Sequence, residues 1–401
     1  MMSQQYKTEA SHNVDSGKTL GLLGFLMMIG VGTLQMQPVL GGALVDHWGL
    51  NLQQMGMLFG AELIAMAIGC GSSALVVNHW DRRRLCQGGL LLLAGGSALS
   101  ALHGTYWLLC ASRALAGFGG GVAQTVVYAT SAQRSNKDRT YAATNIMLLL
   151  WGAVSIGAAP LLISAAGVGS VFLSFPLMVL PALAMTGLIP RQARLAARSA
   201  EPLVASPLTL RTSLLLVLFG LLFAGHGVLW VYQERIGVSI GLPGPAIGAI
   251  LGLSALAGAA GAAVAGALGK RLGHLSAQVI GFAGSIIASL AIVYGQTQLV
   301  YAGAAALVMA VWFFGLTYLF ALSAELDPTG RLTSLANAAV FIGQGLGPVM
   351  AALLVRGSNF RAVGWLSASI YTVCLVIALY VTANAAPAAP RGPRNFEREL
   401  T

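Results

Sequence analysis

Ala74-Leu-Val-Val-Asn-His-Trp-Asp-Arg-Arg-Arg-Leu85 is a short basic stretch between two long apolar runs. It returns in altered form as Gly266-Ala-Leu-Gly-Lys-Arg-Leu-Gly-His-Leu275. The copies stand 192 residues apart in a chain of 401. A short charged loop between membrane-length helices, once in each half, predicts an internally duplicated membrane protein.

Composition agrees. Hydrophobic residues make up 57% of the chain and charged residues 8%, against roughly 25% charged in a soluble domain. So few charges cannot cover a water-exposed surface of this size, so the main solvent must be lipid. The 51 glycines sit inside apolar runs, where small residues let helices approach closely. Cys70, Cys86, Cys110 and Cys374 have no metal-type spacing and read as small buried hydrophobes. The polar first 16 residues lead into a long apolar run with no small-residue cleavage site, which predicts an uncleaved first span.

A spanning helix needs about 20 mostly apolar residues. Twelve stretches qualify: 20–43, 55–77, 85–102, 106–128, 142–165 and 171–189, then 213–231, 246–269, 279–294, 300–322, 334–354 and 363–381. The fold class expected is therefore all-α integral membrane, with twelve transmembrane helices in two pseudo-symmetric six-helix bundles. The expected divisions are a first bundle over 1–189, a linker over 190–211, a second bundle over 212–384 and a tail over 385–401. Eighteen of the 22 lysines and arginines fall in the termini and even-to-odd loops, three (Arg235, Arg356 and Arg361) in the opposite loops, and Arg113 inside a helix. The positive-inside rule then puts both termini in the cytoplasm. Topology and anionic lipid account for the +10 formal charge without a nucleic-acid partner.

Both short loops resemble the signature loop of the major facilitator superfamily, Gly-x-Leu-x-Asp-Arg-x-Gly-Arg-Arg. The second matches at Gly266, Leu268, Arg271 and Gly273, with Lys270 at the acid position. The first keeps Arg82 and Arg83 but has Asn78 for the acid and Asp81 for the second Gly. The resemblance implies a conformational latch built from Asn78, Asp81, Arg82 and Arg83 and from Lys270, Arg271 and Gly273. With the family acid missing twice, the first latch must use Asp81 or be weaker. The fourth span carries Arg113-Ala-Leu-Ala-Gly117-Phe-Gly-Gly-Gly121, similar to the superfamily's Arg-x-x-x-Gly-x-x-x-Gly helix. What the resemblance implies is a secondary carrier in a bacterial inner membrane. It would have a central cavity and work by alternating access.

Ionisable residues inside a membrane span are functional hypotheses by default. Glu62 and Arg113 fall at one depth, about 10 Å from the outer ends of their helices. They read equally as a proton-coupling pair or as a static ion pair, with His226 a further proton candidate. On the seventh helix His226, Trp230 and Gln233 share a face, which is expected to meet the face of Arg113, Gln124 and Tyr128. Gln35, Gln37, Phe314, Tyr318, Asn337 and Gln344 complete the candidate solute-binding set, since aromatic rings with isolated amides suit a small organic solute. Arg113 favours an anionic solute; the aromatic residues and lone acid favour export of hydrophobic or cationic compounds, and both readings stand at this point. A solute sensor that does not transport is a third. An intramembrane enzyme would need clustered acids, histidines or a nucleophile–base pair, which the spans lack. No cofactor or metal is expected. The partners expected are solute, protons and lipid, and the chain is expected to be monomeric.

Reporter fusions test the charge-derived topology. Fusions after Arg83 and within 190–211 should report the cytoplasm, and fusions at Asp46 and Gln296 the opposite side. A cytoplasmic report at Asp46 contradicts the twelve-span arrangement.

Overall fold

The computed structural model describes residues 15–102, 104–190, 209–327, 331–357 and 359–383. Most of the expected linker (191–208) and the whole tail (385–401) lie outside the described residues. The rest is almost entirely helical: α1 (Gly17–Trp48), α2 (Leu52–Val76), α3 (Arg82–Ser100), α4 (Tyr106–Ser131), α5 (Lys137–Ala166), α6 (Val168–Met185), α7 (Leu210–Ser239), α8 (Gly244–Leu268), α9 (His274–Tyr294), α10 (Gln298–Leu326), α11 (Arg331–Leu354) and α12 (Arg361–Ala383). Among the described residues, ten of these are long and apolar enough to cross a membrane. The other two are α3, whose first turn is three arginines, and α4, which carries Arg113.

Polar side chains start these helices where backbone N–H groups would otherwise lack partners. Asn51 and Gln54 form a reciprocal capping box on α2, at 2.7 and 3.0 Å. Thr105, Asn136, Thr209 and Thr297 cap α4, α5, α7 and α10. Gly49 ends α1 in the left-handed conformation that glycine adopts without strain (φ +71°). Two helices are interrupted, the first of each half. α1 breaks at Val31, and α7 breaks between Trp230 and Gln233. Both run further than the sequence spans 20–43 and 213–231. Asp46, Glu234 and Arg235 therefore lie on helix ends and not in loops.

The packing repeats six helices on. α2 and α3 pack on α4 as α8 and α9 pack on α10, α1 packs on α5 as α7 packs on α11, and α3 packs on α6 as α9 packs on α12. Between the halves, α2 meets α11 and α8 meets α5, again a symmetric pair. We call the side carrying the 77–81 and 269–273 loops the loop side and the opposite one the far side. Contacts between the halves concentrate on the far side. A Cβ on Gly56 would strike Tyr232 and Pro348, and one on Gly60 would strike Val349. Gly248 and Gly252 sit against the carbonyls of Ile156 and Ala153. The cross-half cluster nearest the loop side sets Phe341 of α11 against Leu63 and Met66 of α2.

Within each half, glycine permits direct backbone contact, because lipid supplies no hydrophobic drive for helix association and close packing must. A Cβ on Gly343 would run into the Gly220 carbonyl and stand 2.9 Å from its Cα, which locks α11 to α7. Gly303 faces open space. Gly343→Val should therefore destabilise the protein by roughly 1–3 kcal/mol or more. Gly303→Val should leave thermal unfolding of the purified protein near wild type. Equal unfolding temperatures for the two variants would contradict the α7–α11 contact.

Candidate functional site

The fourth-helix arginine lies in the interior of the first half. Arg113 is 1% exposed and forms a two-point ion pair with Glu62 of α2, its Nε 3.3 Å from Oε2 and its Nη2 on Oε1. It also donates to Thr33 Oγ1 of α1 (3.1 Å) and Ser97 Oγ of α3 (3.4 Å), and stacks on Phe172 of α6. Gly117 makes this possible, since a side chain there would strike the Glu62 carbonyl and hold α2 away from α4. Each of these partners belongs to the first half, so a rigid movement of one half against the other leaves the pair intact. Further along α4, Gln124 donates to Met27 Sδ and to the hydroxyl of Tyr128, again inside the first half. The expected meeting of this face with the helix-seven face does not occur.

The helix-seven face is itself divided. His226 and Trp230 stack at 5.5 Å between ring centres, but the break in α7 puts Gln233 on the following segment, off the continuous face. Trp312 of α10 lies 4.6 Å from His226 between ring centres, and Gln344 of α11 stands 3.5 Å from Nδ1. His226 Nε2 is buried without a hydrogen-bond partner. Trp230 crosses to the first half, donating from Nε1 to the Leu34 carbonyl of α1 at 2.9 Å. Three residues beyond each member of that contact stand Gln37 and Gln233. Both are fully buried, and each leaves its amide nitrogen and oxygen unpaired. A buried polar group without a partner costs about 1–3 kcal/mol, so these amides mark a place where a partner is required.

Other expected lining residues lie elsewhere. Phe314 and Tyr318 pack beside Ala265, Leu272 and Ala277 inside the second half, and Tyr318 donates to the Gly269 carbonyl. α10 turns Trp312 toward the cluster in their place, against Phe223 and His226, while Phe313 lies against Gly258 of α8. Gln35 turns against Gly152 of α5, and Asn337 is half-buried near the loop-side end of α11.

An ion cluster at the far side was not anticipated. Arg235 donates from Nη1 and Nη2 to the two carboxylate oxygens of Asp46, both at 2.7 Å, and from Nε and Nη2 to Glu234 at 2.5 and 2.8 Å. Asp46 belongs to α1 and the other two to α7, so the cluster joins the halves. Gly42 provides the space, since a Cβ there would collide with the Glu234 carboxylate. Tyr232 adds a second tie, donating to the Leu52 carbonyl at 2.9 Å. The signal available in the sequence was Gln233-Glu-Arg235, an adjacent acid and base directly after an apolar run. The sequence predicts a loop position for Arg235; the structure corrects it, since the residue lies on α7 and is 8% exposed.

On the loop side the fastenings of Asp81, Arg82, Arg83, His274 and Tyr318 each stay within one half. Asp81 caps α3, accepting from the backbone N–H groups of Arg83 and Arg84 at 2.9 and 3.3 Å. Arg82, buried, reaches Asn78 Oδ1 (2.9 Å) and the carbonyls of Val77 and Ala129. Arg83 reaches the carbonyls of Thr186 and Gly187 after α6. In the second loop Arg271 and Gly273 are exposed, and the fastening falls to His274 with Glu325 at 3.0 Å and to Tyr318. Lys270 lies in the short turn after α8. Among the described residues no three His, Cys, Asp or Glu side chains gather as a metal site would require.

Comparison with known proteins places this geometry. Residues 20–328 match the family model described as Major Facilitator Superfamily. The fold is similar to a crystal structure titled D-xylose-proton symporter, with a TM-score of 0.72 at 16% identity, covering 90% of this chain and 96% of that one. It is also similar to an aspartate-to-alanine variant of nucleoside transporter NupG, with a TM-score of 0.69 at 12% identity, covering 90% of this chain and 98% of that one. At such identities the likeness shows the fold alone. No curated protein matches the sequence.

Removing one partner of a buried pair leaves an uncompensated charge, a loss of about 3–5 kcal/mol. Arg113→Met should therefore lower the unfolding temperature sharply, and adding Glu62→Leu to it should recover part of the loss. A double variant no more stable than Arg113→Met would contradict the two-point pair.

Proposed function

Because the chain belongs to the major facilitator superfamily, a family of transporters, we propose that it is a proton-coupled secondary carrier of a small organic solute, working by alternating access. The observation that carries this reading is the one-sided joining of the halves. Trp230, Tyr232 and Arg235 tie α7 to α1 and α2 on the far side, while the loop-side fastenings of Arg82, Arg83, His274 and Tyr318 each close within one half. With the termini and basic loops assigned to the cytoplasm by the arginine count, this is the arrangement sealed outward. The bodies that rock are the two six-helix units over 1–189 and 212–384. The titles of the two structural neighbours name a sugar and a nucleoside as cargo of those proteins, which supports an organic solute here. We place the carrier in a bacterial inner membrane as a monomer, with lipid around it and no nucleic-acid partner.

Coupling requires a charged group whose surroundings change as the halves move. Glu62 does not meet that condition, since all its partners move with it. The Asp46–Arg235–Glu234 cluster does. Sealed, two carboxylates share one guanidinium; once the far side opens, Asp46 leaves with α1 and Arg235 keeps only Glu234. We therefore assign proton coupling to this cluster, and to Glu62 and Arg113 the cohesion of the first half.

Spin labels at Gln53 and Gly241 on the far side, and at Trp80 and Leu275 on the loop side, measure the two openings. Asp46→Asn and Arg235→Gln should lengthen the far-side distance and shorten the loop-side one, and Glu62→Gln should change neither. In proteoliposomes with an imposed pH gradient, Glu234→Gln should retain counterflow of a stabilising solute yet lose its accumulation. Normal accumulation by Glu234→Gln would make the cluster a plain latch, and unchanged distances would remove even that.

A further inference from the structure

The acids and bases of the two buried ion clusters are paired, and the one surplus negative charge falls on the Arg235 cluster at the far-side helix ends, where Asp46 is 54% exposed. Arg113 is committed to Glu62, and Arg235 to Asp46 and Glu234. A charged solute entering such a low-dielectric site needs a counter-charge of its own, because an isolated buried ion is far too costly. Arg113 cannot supply one without orphaning Glu62, and Glu62 cannot serve a cation without orphaning Arg113. His226 has Trp230, Trp312 and Gln344 as its neighbours and no carboxylate among them.

What remains unpaired is uncharged. Gln37 on the first half and Gln233 on the second each leave one donor and one acceptor free, and His226 leaves Nε2. His226 stacks on Trp230, the residue that bridges the halves, Gln233 follows Trp230 by three residues, and Gln37 follows by three the Leu34 whose carbonyl Trp230 holds. We infer that the solute is an uncharged small molecule bearing several hydrogen-bonding groups, held by Gln37, Gln233 and His226, and that both anions and cations are excluded. This rests on the carrier reading and narrows its substrate class. It replaces the two alternatives that the sequence left open, an anionic solute and hydrophobic or cationic compounds. A site of paired donors and acceptors also discriminates strongly against analogues that lack the matching group.

The test uses the purified full-length protein and triads that share one scaffold. These are D-glucose, D-glucuronate and D-glucosamine; uridine, uridine 5′-monophosphate and 5′-amino-5′-deoxyuridine; and benzamide, benzoate and benzylamine. Binding is read as a rise in unfolding temperature with concentration. The neutral member should bind most tightly in any triad that binds. Gln37→Ala and Gln233→Ala should each weaken it by about tenfold with the ligand-free unfolding temperature retained. His226→Phe, which keeps the stack but removes Nε2, serves as a second variant should either glutamine variant fail to fold. An acid or amine that binds more tightly than its neutral counterpart overturns the inference, as does a panel in which no neutral member binds. Counterflow in proteoliposomes separates the two readings: neutral binding without exchange leaves the solute class standing and removes the carrier.

Discussion

Arg235 is the residue on which the arrangement of the halves depends. Its guanidinium faces two carboxylates, one from each half, and a planar fork of donors suits that task where an ammonium would not. Around it the far side is closed by contacts that need small residues, such as Gly42 under Glu234 and Gly56 under Tyr232. Sealing is thus achieved by a few directional bonds set among tightly approaching helices. Close-packed interfaces of this kind do not deform gradually. The same halves can separate there only by breaking Arg235 from Asp46.

Much of the fold was legible in the sequence because the lipid constraint is severe. Twelve apolar runs, the repeated basic loop and the lopsided arginine count each follow from keeping charge out of hydrocarbon, and the helix positions follow closely. The pairing of Glu62 with Arg113 was readable for the same reason, because two charges at one depth must find each other.

The site was less legible. Helical periodicity places His226 and Trp230 on one face but cannot foresee the break after Trp230, which carries Gln233 out of register. It chose Phe314 and Tyr318 where Trp312 faces α7, because the run Val311-Trp-Phe-Phe-Gly-Leu316 is apolar or aromatic enough to suit either side. Asp46, Glu234 and Arg235 were missed for a different reason. A hydropathy count ends a span at its first charge, whereas these helices continue past it and bury the charge against a partner that sequence separation hides.

Arg83 holds the carbonyls of Thr186 and Gly187, the last turn before the chain leaves the first half for the second. A helix end of this kind would ordinarily be the weakest point under load, since its final carbonyls lack helical partners and fray first. Here a neighbouring helix grips them. Any pull travelling along the connector meets an anchored post and is shared by α3, so it does not peel α6 from its end. The basic loop thereby acts as a strain relief at the exit of the first half.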